Sequence, residues 1–238
     1  MRYLIAVAGV LMLPTALAAQ EPTIPAQLVA FQHTSLSAEL PAKIDRITVK
    51  EGERFKAGQV LVAFDCSIQK AVLDEARAVL AAADKTKTAH KRLLELNSTG
   101  SLEMENAISD AAVAQAKVNS AQAVVSKCTI TAPFGGRVAE RKAQAHQYVQ
   151  AGQALLDILD DSALDAEFII PSAFAPKLKA GMGVEILVDE TGKAYPARIA
   201  RLGAKVDPVS HSVKVIAEIK GEFPDLMAGM TGKVRMAQ

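Results

Sequence analysis

The chain has 238 residues, with 27 Lys+Arg against 26 Asp+Glu and a formal net charge of +1. That balance argues against nucleic acid, or an anionic membrane surface, as the main partner. Tryptophan is absent and aromatics make up 4% of the residues, while alanine crowds the stretch 71–125, so long packed helices are expected rather than a large aromatic core.

The first residues, MRYLIAVAGVLMLPTALAAQ, carry one early cation at Arg2, an apolar run from Tyr3 to Leu13 and an A-x-A pattern at Ala16 and Ala18. This is the pattern of a secretory signal over residues 1–18, cut after Ala18 or Ala19. The run falls short of the roughly 20 residues a membrane span needs, and no cysteine follows the cleavage site to accept a lipid. A soluble exported chain is expected, the alternative being an uncut signal kept as an anchor. Residues 19–39 read as an N-terminal extension.

Two stretches then match at a constant offset of 94 residues: KIDRITVKEGERFKAGQVLVAFD from Lys43 and RVAERKAQAHQYVQAGQALLDIL from Arg137. Ile44 meets Val138, Phe55 meets Val149, Ala57-Gly58-Gln59 meets Ala151-Gly152-Gln153, and Leu61 meets Leu155. Each copy has short β-rich runs around a glycine that supplies a turn. The halves, 40–65 and 128–162, should pair into one small pseudo-twofold β unit of about 70 to 80 residues.

Between them, residues 66–127 contain no proline and a single glycine, Gly100. Leu73, Ala76, Leu80, Ala83, Lys87, His90 and Leu94 recur at spacings of three and four, as do Ala107, Ala111, Ala114, Val118, Ala121 and Val125. This is the seam of a two-helix antiparallel coiled coil whose small alanines allow close approach. Asn97 to Ser101 is the expected reversal, with a serine capping the second helix. Arms of about 28 residues would reach roughly 40 Å from the β unit.

Cys66 ends the first half as the hairpin leaves, and Cys128 starts the second as it returns. In an oxidising compartment the folding scheme predicts a Cys66–Cys128 disulfide; the alternative is two free buried thiols.

At these residues the chain resembles the membrane fusion proteins, or periplasmic adaptor subunits, of the HlyD-like and RND-efflux adaptor class. The features are "PAKIDRITVKEGERFKAGQVLVAFD", the inserted hairpin, "CTITAPFGGRVAERKAQAHQYVQAGQALLDILD" and the closing "LMAGMTGKVRM". The resemblance implies a mixed α and β fold: a lipoyl-like β domain split by a long antiparallel α-helical hairpin, followed by a small antiparallel β-barrel over 163–238. It implies periplasmic location at the envelope and structural assembly rather than catalysis. The implied partners are an inner-membrane efflux transporter, an outer-membrane channel and further copies of the chain in a homo-oligomeric ring, with no nucleic acid. Many adaptors carry a further membrane-proximal domain, and a short variant lacking most of it is expected here.

Adaptors that dock on TolC-like channels often carry Arg, then Leu four later, then Ser seven after that, at the hairpin tip. Arg92 and Leu96 fit; position 103 is Glu and the serine is Ser101, so a shortened turn is expected. Arg92, Leu96, Ser101 and Glu103 are the candidate channel-contacting residues. Biotinyl and lipoyl carriers present a lysine between their halves. Here the coiled coil replaces that hairpin, so no covalent cofactor is expected.

The final segment shows strand-like runs at 163–171, 184–188, 194–202, 212–220 and 232–236, and a short helix over 172–179 started by a serine cap. Five or six strands and a helix make a small barrel. His33, His90, His146 and His211 are scattered, with His90 expected to be packed or hydrogen-bonded in the seam and His146 on a surface turn. Met227-x-x-Met230 is the closest methionine pair and reads as strand and turn packing rather than a metal site. The Gly181-Met182-Gly183 step reads as a turn, and Asp160-Asp161 as solvated linker.

The main expectation is an adaptor joining an inner-membrane pump, RND in type, to an outer-membrane channel. The alternatives are an adaptor of an ABC exporter or type I secretion system, and a periplasmic substrate or metal carrier.

Overall fold

The computed structural model describes residues 24–221 and 223–236, so the export signal assigned to 1–18 lies outside the described residues. The strands and helices, in order, are β1 (Ile24–Ser37), β2 (Ala42–Ile47), β3 (Arg54–Phe55), β4 (Val60–Phe64), α1 (Ser67–Glu95), α2 (Ser101–Ser126), β5 (Thr129–Thr131), β6 (Gly136–Arg141), β7 (Tyr148–Val149) and β8 (Ala154–Pro171). A 3-10 helix, Ser172–Lys177, follows, and then β9 (Gly183–Val188), β10 (Ala194–Leu202), β11 (Ser212–Ile219) and β12 (Thr231–Met236). Two compact units result: one of Val29–Asp165 with residues 223–228, the other of residues 24–28, Ala166–Gly221 and residues 229–236.

The first unit carries the repeat. Elements β2, β3 and β4 recur as β6, β7 and the start of β8, each 94 residues on. The halves exchange their shortest strands: β7 pairs with β2, and β3 pairs with β6. Even the irregularities match, because the β2–β4 register shifts between Ile44 and Arg46 and the β6–β8 register between Val138 and Glu140.

The turns obey the same symmetry. Gly52 N–H donates to the Val138 carbonyl at 2.9 Å, and His146 N–H donates to the Ile44 carbonyl at 2.8 Å. Gly58 and Gly152, at φ +77° and +85°, supply the left-handed residue of the equivalent turns. Their N–H groups donate to Ala132 and Ala38, at 2.8 and 2.7 Å. Ala38 therefore stands where Ala132 does, so the first half begins earlier in the chain than its sequence pattern suggests.

Ile44, Leu61, Val149 and Leu155 are each 0% exposed, and Val49 and Val138 are 1% exposed, in one core shared by the two halves. Burial of an aliphatic side chain of this size contributes about 1.5–3 kcal/mol, so neither half could hold its fold without the other. Asp157 and Lys142 form a 2.6 Å ion pair in this unit. That hydrogen bond, against the opposing effect of burial, holds the Asp157 carboxyl below its ordinary value.

The second unit is a barrel with neighbours in the order β1-β12-β9-β10-β11-β8, closed by pairing of β1 with β8. Its inward residues alternate along each strand, as in β11, where Val213, Val215, Ala217 and Ile219 are buried. The sixth strand is β1, contributed from the stretch read in sequence as an extension. Two local expectations are corrected. The short helix is a 3-10 turn whose N-cap is Pro171, with no side-chain cap, so Ser172 lies inside it. The Asp160-Asp161 step is part of β8 rather than a solvated linker: Asp161 accepts from Arg54 at 2.8 Å and lies 3.3 Å from Arg137 Nε, its side chain 14% exposed.

Candidate partner-docking hairpin

The two helices leave from and return to one point. Cys66 is the N-cap of α1, Cys128 follows α2 by two residues, and their sulfurs are bonded with the Cα atoms 6.1 Å apart. Both cysteines are buried, at 2% and 5% exposure. Beside them, Asp65 Oδ1 accepts from Ser67 N–H at 3.2 Å, and the bonds from Ser67 hold the Asp65 carboxyl below its ordinary value. A carboxylate at this place also suits the partial positive charge of the α1 N-terminus.

Along the hairpin the expected seam is observed from Leu73 to His90, whereas Leu94, expected in it, is 37% exposed. Leu73 on α1 and Ala107, Ala111 and Ala114 on α2 are buried, and Ala76, Leu80, Ala83, Lys87 and His90 are half-buried. Alanines on one side of the seam leave room for longer polar side chains on the other: the Lys87 ammonium meets Asp84 at 2.7 Å. His90 is packed into the seam with its Nδ1 enclosed and without a hydrogen-bond partner among the described residues. Arg77 donates to Gln122 across the pair at 3.2 Å.

Closer to the base, the hairpin has an open groove lined by Ile68, Val72, Val79 and Val124, with Glu75 and Lys117 among its walls. Ile68 is 75% exposed and Val72 51%. Solvated valines and isoleucines on a helix flank are expensive unless something covers them, and this makes the groove a candidate contact surface.

At the far end the helices stop at Glu95 and restart at Ser101. Asn97 takes φ 55° and allows the reversal. The cap of α2 is Gly100 and not a serine, with no side-chain cap bond. The Glu103 carboxylate instead folds back, its Oε2 lying 2.5 Å from where a Cβ on Gly100 would be. Of the four tip candidates, Glu103 is thus in the first turn of α2 and Arg92 in the last turn of α1, each with the charge that the helix end favours. Ser101 is the first residue of α2, and Leu96 is 65% exposed. The four candidates leave out Leu102, 64% exposed at the edge of the expected tip, and Leu93, 40% exposed. Three leucines at one solvated tip are an apolar contact surface, and the signal for them was the lack of any seam position they could fill.

No protein-family model matches the chain. It is 28% identical over 212 residues to an uncharacterized protein of Haemophilus influenzae and 25% identical over 227 residues to the nodulation protein NolF of Rhizobium meliloti, covering 87% and 89% of this chain. It spans 54% and 62% of those two proteins' own lengths. The antibiotic efflux pump periplasmic linker protein ArpA of Pseudomonas putida is 27% identical over 152 residues, 57% of this chain and 41% of its own. Among solved structures, a MacA-MexA chimeric protein with the Pseudomonas aeruginosa MexA α-hairpin domain superposes with a TM-score of 0.80, at 22% identity, over 91% of this chain and 81% of its own. The membrane fusion protein Spr0693 of Streptococcus pneumoniae R6 gives 0.77, at 19% identity, over 91% of this chain and 99% of its own. The chain resembles periplasmic adaptor and membrane fusion proteins in sequence and shares their fold, a closed six-stranded barrel with a helical hairpin.

Proposed function

We propose that this protein is a periplasmic adaptor that joins an inner-membrane efflux transporter, of the RND class, to an outer-membrane channel. The observation that carries this reading is the hairpin: two helices of 29 and 26 residues, tied at the base by a disulfide and ending in exposed leucines. At 1.5 Å per residue such a pair extends roughly 40 Å, a length suited to bridging between partners and without evident use in a small-molecule site. The likeness to an efflux pump periplasmic linker supports the same reading.

In this reading the two repeat halves, 40–65 and 128–162, form a lipoyl-like domain, 66–127 is the hairpin that they carry, and 163–238 belongs to the barrel domain. Leu96, with Leu93 and Leu102, supplies the apolar part of the channel contact, while Arg92, Ser101 and Glu103 set its polar edge. Several copies stand side by side in a ring, and the groove around Ile68, Val72 and Val124 receives the neighbouring hairpin. The protein acts by holding its partners in register, with no chemical step of its own.

The test is efflux-dependent resistance in cells carrying Arg92→Ala/Leu96→Ala, with folding followed by circular dichroism and pump association by in-cell crosslinking. The reading expects lost resistance with folding and pump association intact. Unchanged resistance removes these residues from the contact. Crosslinking that recovers the protein only with itself overturns the adaptor reading, and recovery of an ABC exporter in place of an RND pump changes the transporter class.

A further inference from the structure

The barrel has an end at which β9 begins and β12 finishes, because Gly183 pairs with Arg198 and Met236 with Val184. β1 runs antiparallel to β12, with Ile24 opposite Val234, so the chain enters the barrel from this same end. The 3-10 helix and the turn between β10 and β11 also lie here, joined by a bond from Ser172 N–H to the His211 carbonyl at 2.8 Å.

The turn is held by hydrogen bonds of its own, and it lifts apolar side chains into water. Asp207 Oδ1 accepts from the N–H groups of Val209 and Ser210, both at 2.9 Å, and Asp207 N–H donates to the Ser212 carbonyl at 2.9 Å. Val209, at the crest, is 90% exposed; Val206 is 47% exposed and Phe174, on the adjoining 3-10 helix, 52%. The Lys177 ammonium sits 5.6 Å from the centre of the Phe174 ring. Residues 172–182 and 203–211 contain three exposed lysines, Lys177, Lys179 and Lys205, against one carboxylate, Asp207, which the turn itself uses.

We propose that this end of the barrel docks on an anionic phospholipid bilayer, with Val206, Val209 and Phe174 entering the headgroup layer and Lys177, Lys179 and Lys205 meeting the phosphates around them. A few apolar side chains or a few cations alone bind a bilayer only marginally, whereas the two together on one surface give stable peripheral docking. The balanced charge of the whole chain does not oppose this, because attraction to an anionic surface decays within about 10 Å and only the charges at the contact count. The docking surface uses none of the hairpin's residues and does not rest on the adaptor reading.

Flotation of the exported chain, with the signal removed after Ala19, on vesicles of phosphatidylethanolamine and phosphatidylglycerol, compared with phosphatidylcholine vesicles, tests the proposal. Lys177→Glu/Lys179→Glu/Lys205→Glu should lower binding to the anionic vesicles at least tenfold, and Val206→Ser/Val209→Ser at least threefold, with circular dichroism unchanged. All three lysines are exposed, so the charge variant remains a fair test even if the valine variant folds poorly. Equal flotation of the charge variant and the unaltered chain overturns the proposal. So does equal flotation combined with loss of an in-cell crosslink to an inner-membrane protein, which would make the surface a protein-docking site.

Discussion

Opening the Cys66–Cys128 bond, by reduction or by Cys66→Ala/Cys128→Ala, should destabilise the unit that bears the hairpin. The bond joins residues separated by 62 positions. In the chain-entropy relation a loop of that length loses about 14 cal/mol/K of unfolded-state freedom, equivalent to about 4 kcal/mol at room temperature. Residual pairing of α1 with α2 in the unfolded chain would shorten the effective loop, which makes this figure a ceiling. Urea unfolding followed by far-UV circular dichroism reads the effect cleanly, since both long helices lie in this unit. With a slope of about 2 kcal/mol per molar urea, the midpoint should fall by up to about 2 M. The single variant Cys66→Ala should behave like the reduced chain. If oxidised, reduced and doubly substituted proteins unfold within about 0.2 M of one another, the bond does not restrain the unfolded chain and the reasoning fails.

Gly136→Ala should cost about 2–3 kcal/mol, because the added Cβ would fall on the Leu159 carbonyl, a backbone atom that cannot step aside; the urea midpoint reads it, and a shift below about 0.3 M would refute the contact. Asp157→Asn should lower stability at neutral pH and matter less in acid. The folded carboxyl of Asp157 sits below its ordinary value of 3.8, so its stabilisation is present above that value and disappears as the pH falls through the lower folded one. Unfolding at neutral and at strongly acidic pH should therefore show a gap between variant and unaltered chain that closes on acidification, and a gap of constant size would refute the ion pair's role.

Much of the fold was legible because two periodicities repeat. The offset between Gly58 and Gly152 reads a backbone need directly, since both occupy positive φ in equivalent turns. The three-and-four spacing from Leu73 to His90 reads the seam because alanines opposite let those positions turn inward, and it fails at Leu94, which is exposed. What stayed hidden was pairing over long separations. Ile24–Ser37 is polar at many positions and alternates only at its start, where Ala26 and Leu28 are buried, so nothing local marks it as the strand that closes a barrel. Asp161 looked solvated because its cations, Arg54 and Arg137, come from distant parts of the sequence. At the tip, charges were legible as candidates, yet Arg92 and Glu103 lie at helix ends that account for them, and the exposure of Leu93 was hidden because it neighbours the expected seam position Leu94.

The closed base of the hairpin makes its length a free variable in evolution. Since α1 leaves and α2 returns within 6.1 Å at Cys66 and Cys128, the β unit experiences the same two anchor points whatever lies between them. Adding or deleting seven residues in each helix preserves the phase of the seam and moves the tip by about 10 Å, whereas other increments rotate the apolar stripe out of register. The insertion therefore behaves as a ruler graduated in heptads. The reach of the tip can be reset in such steps without revising the core that holds the ruler.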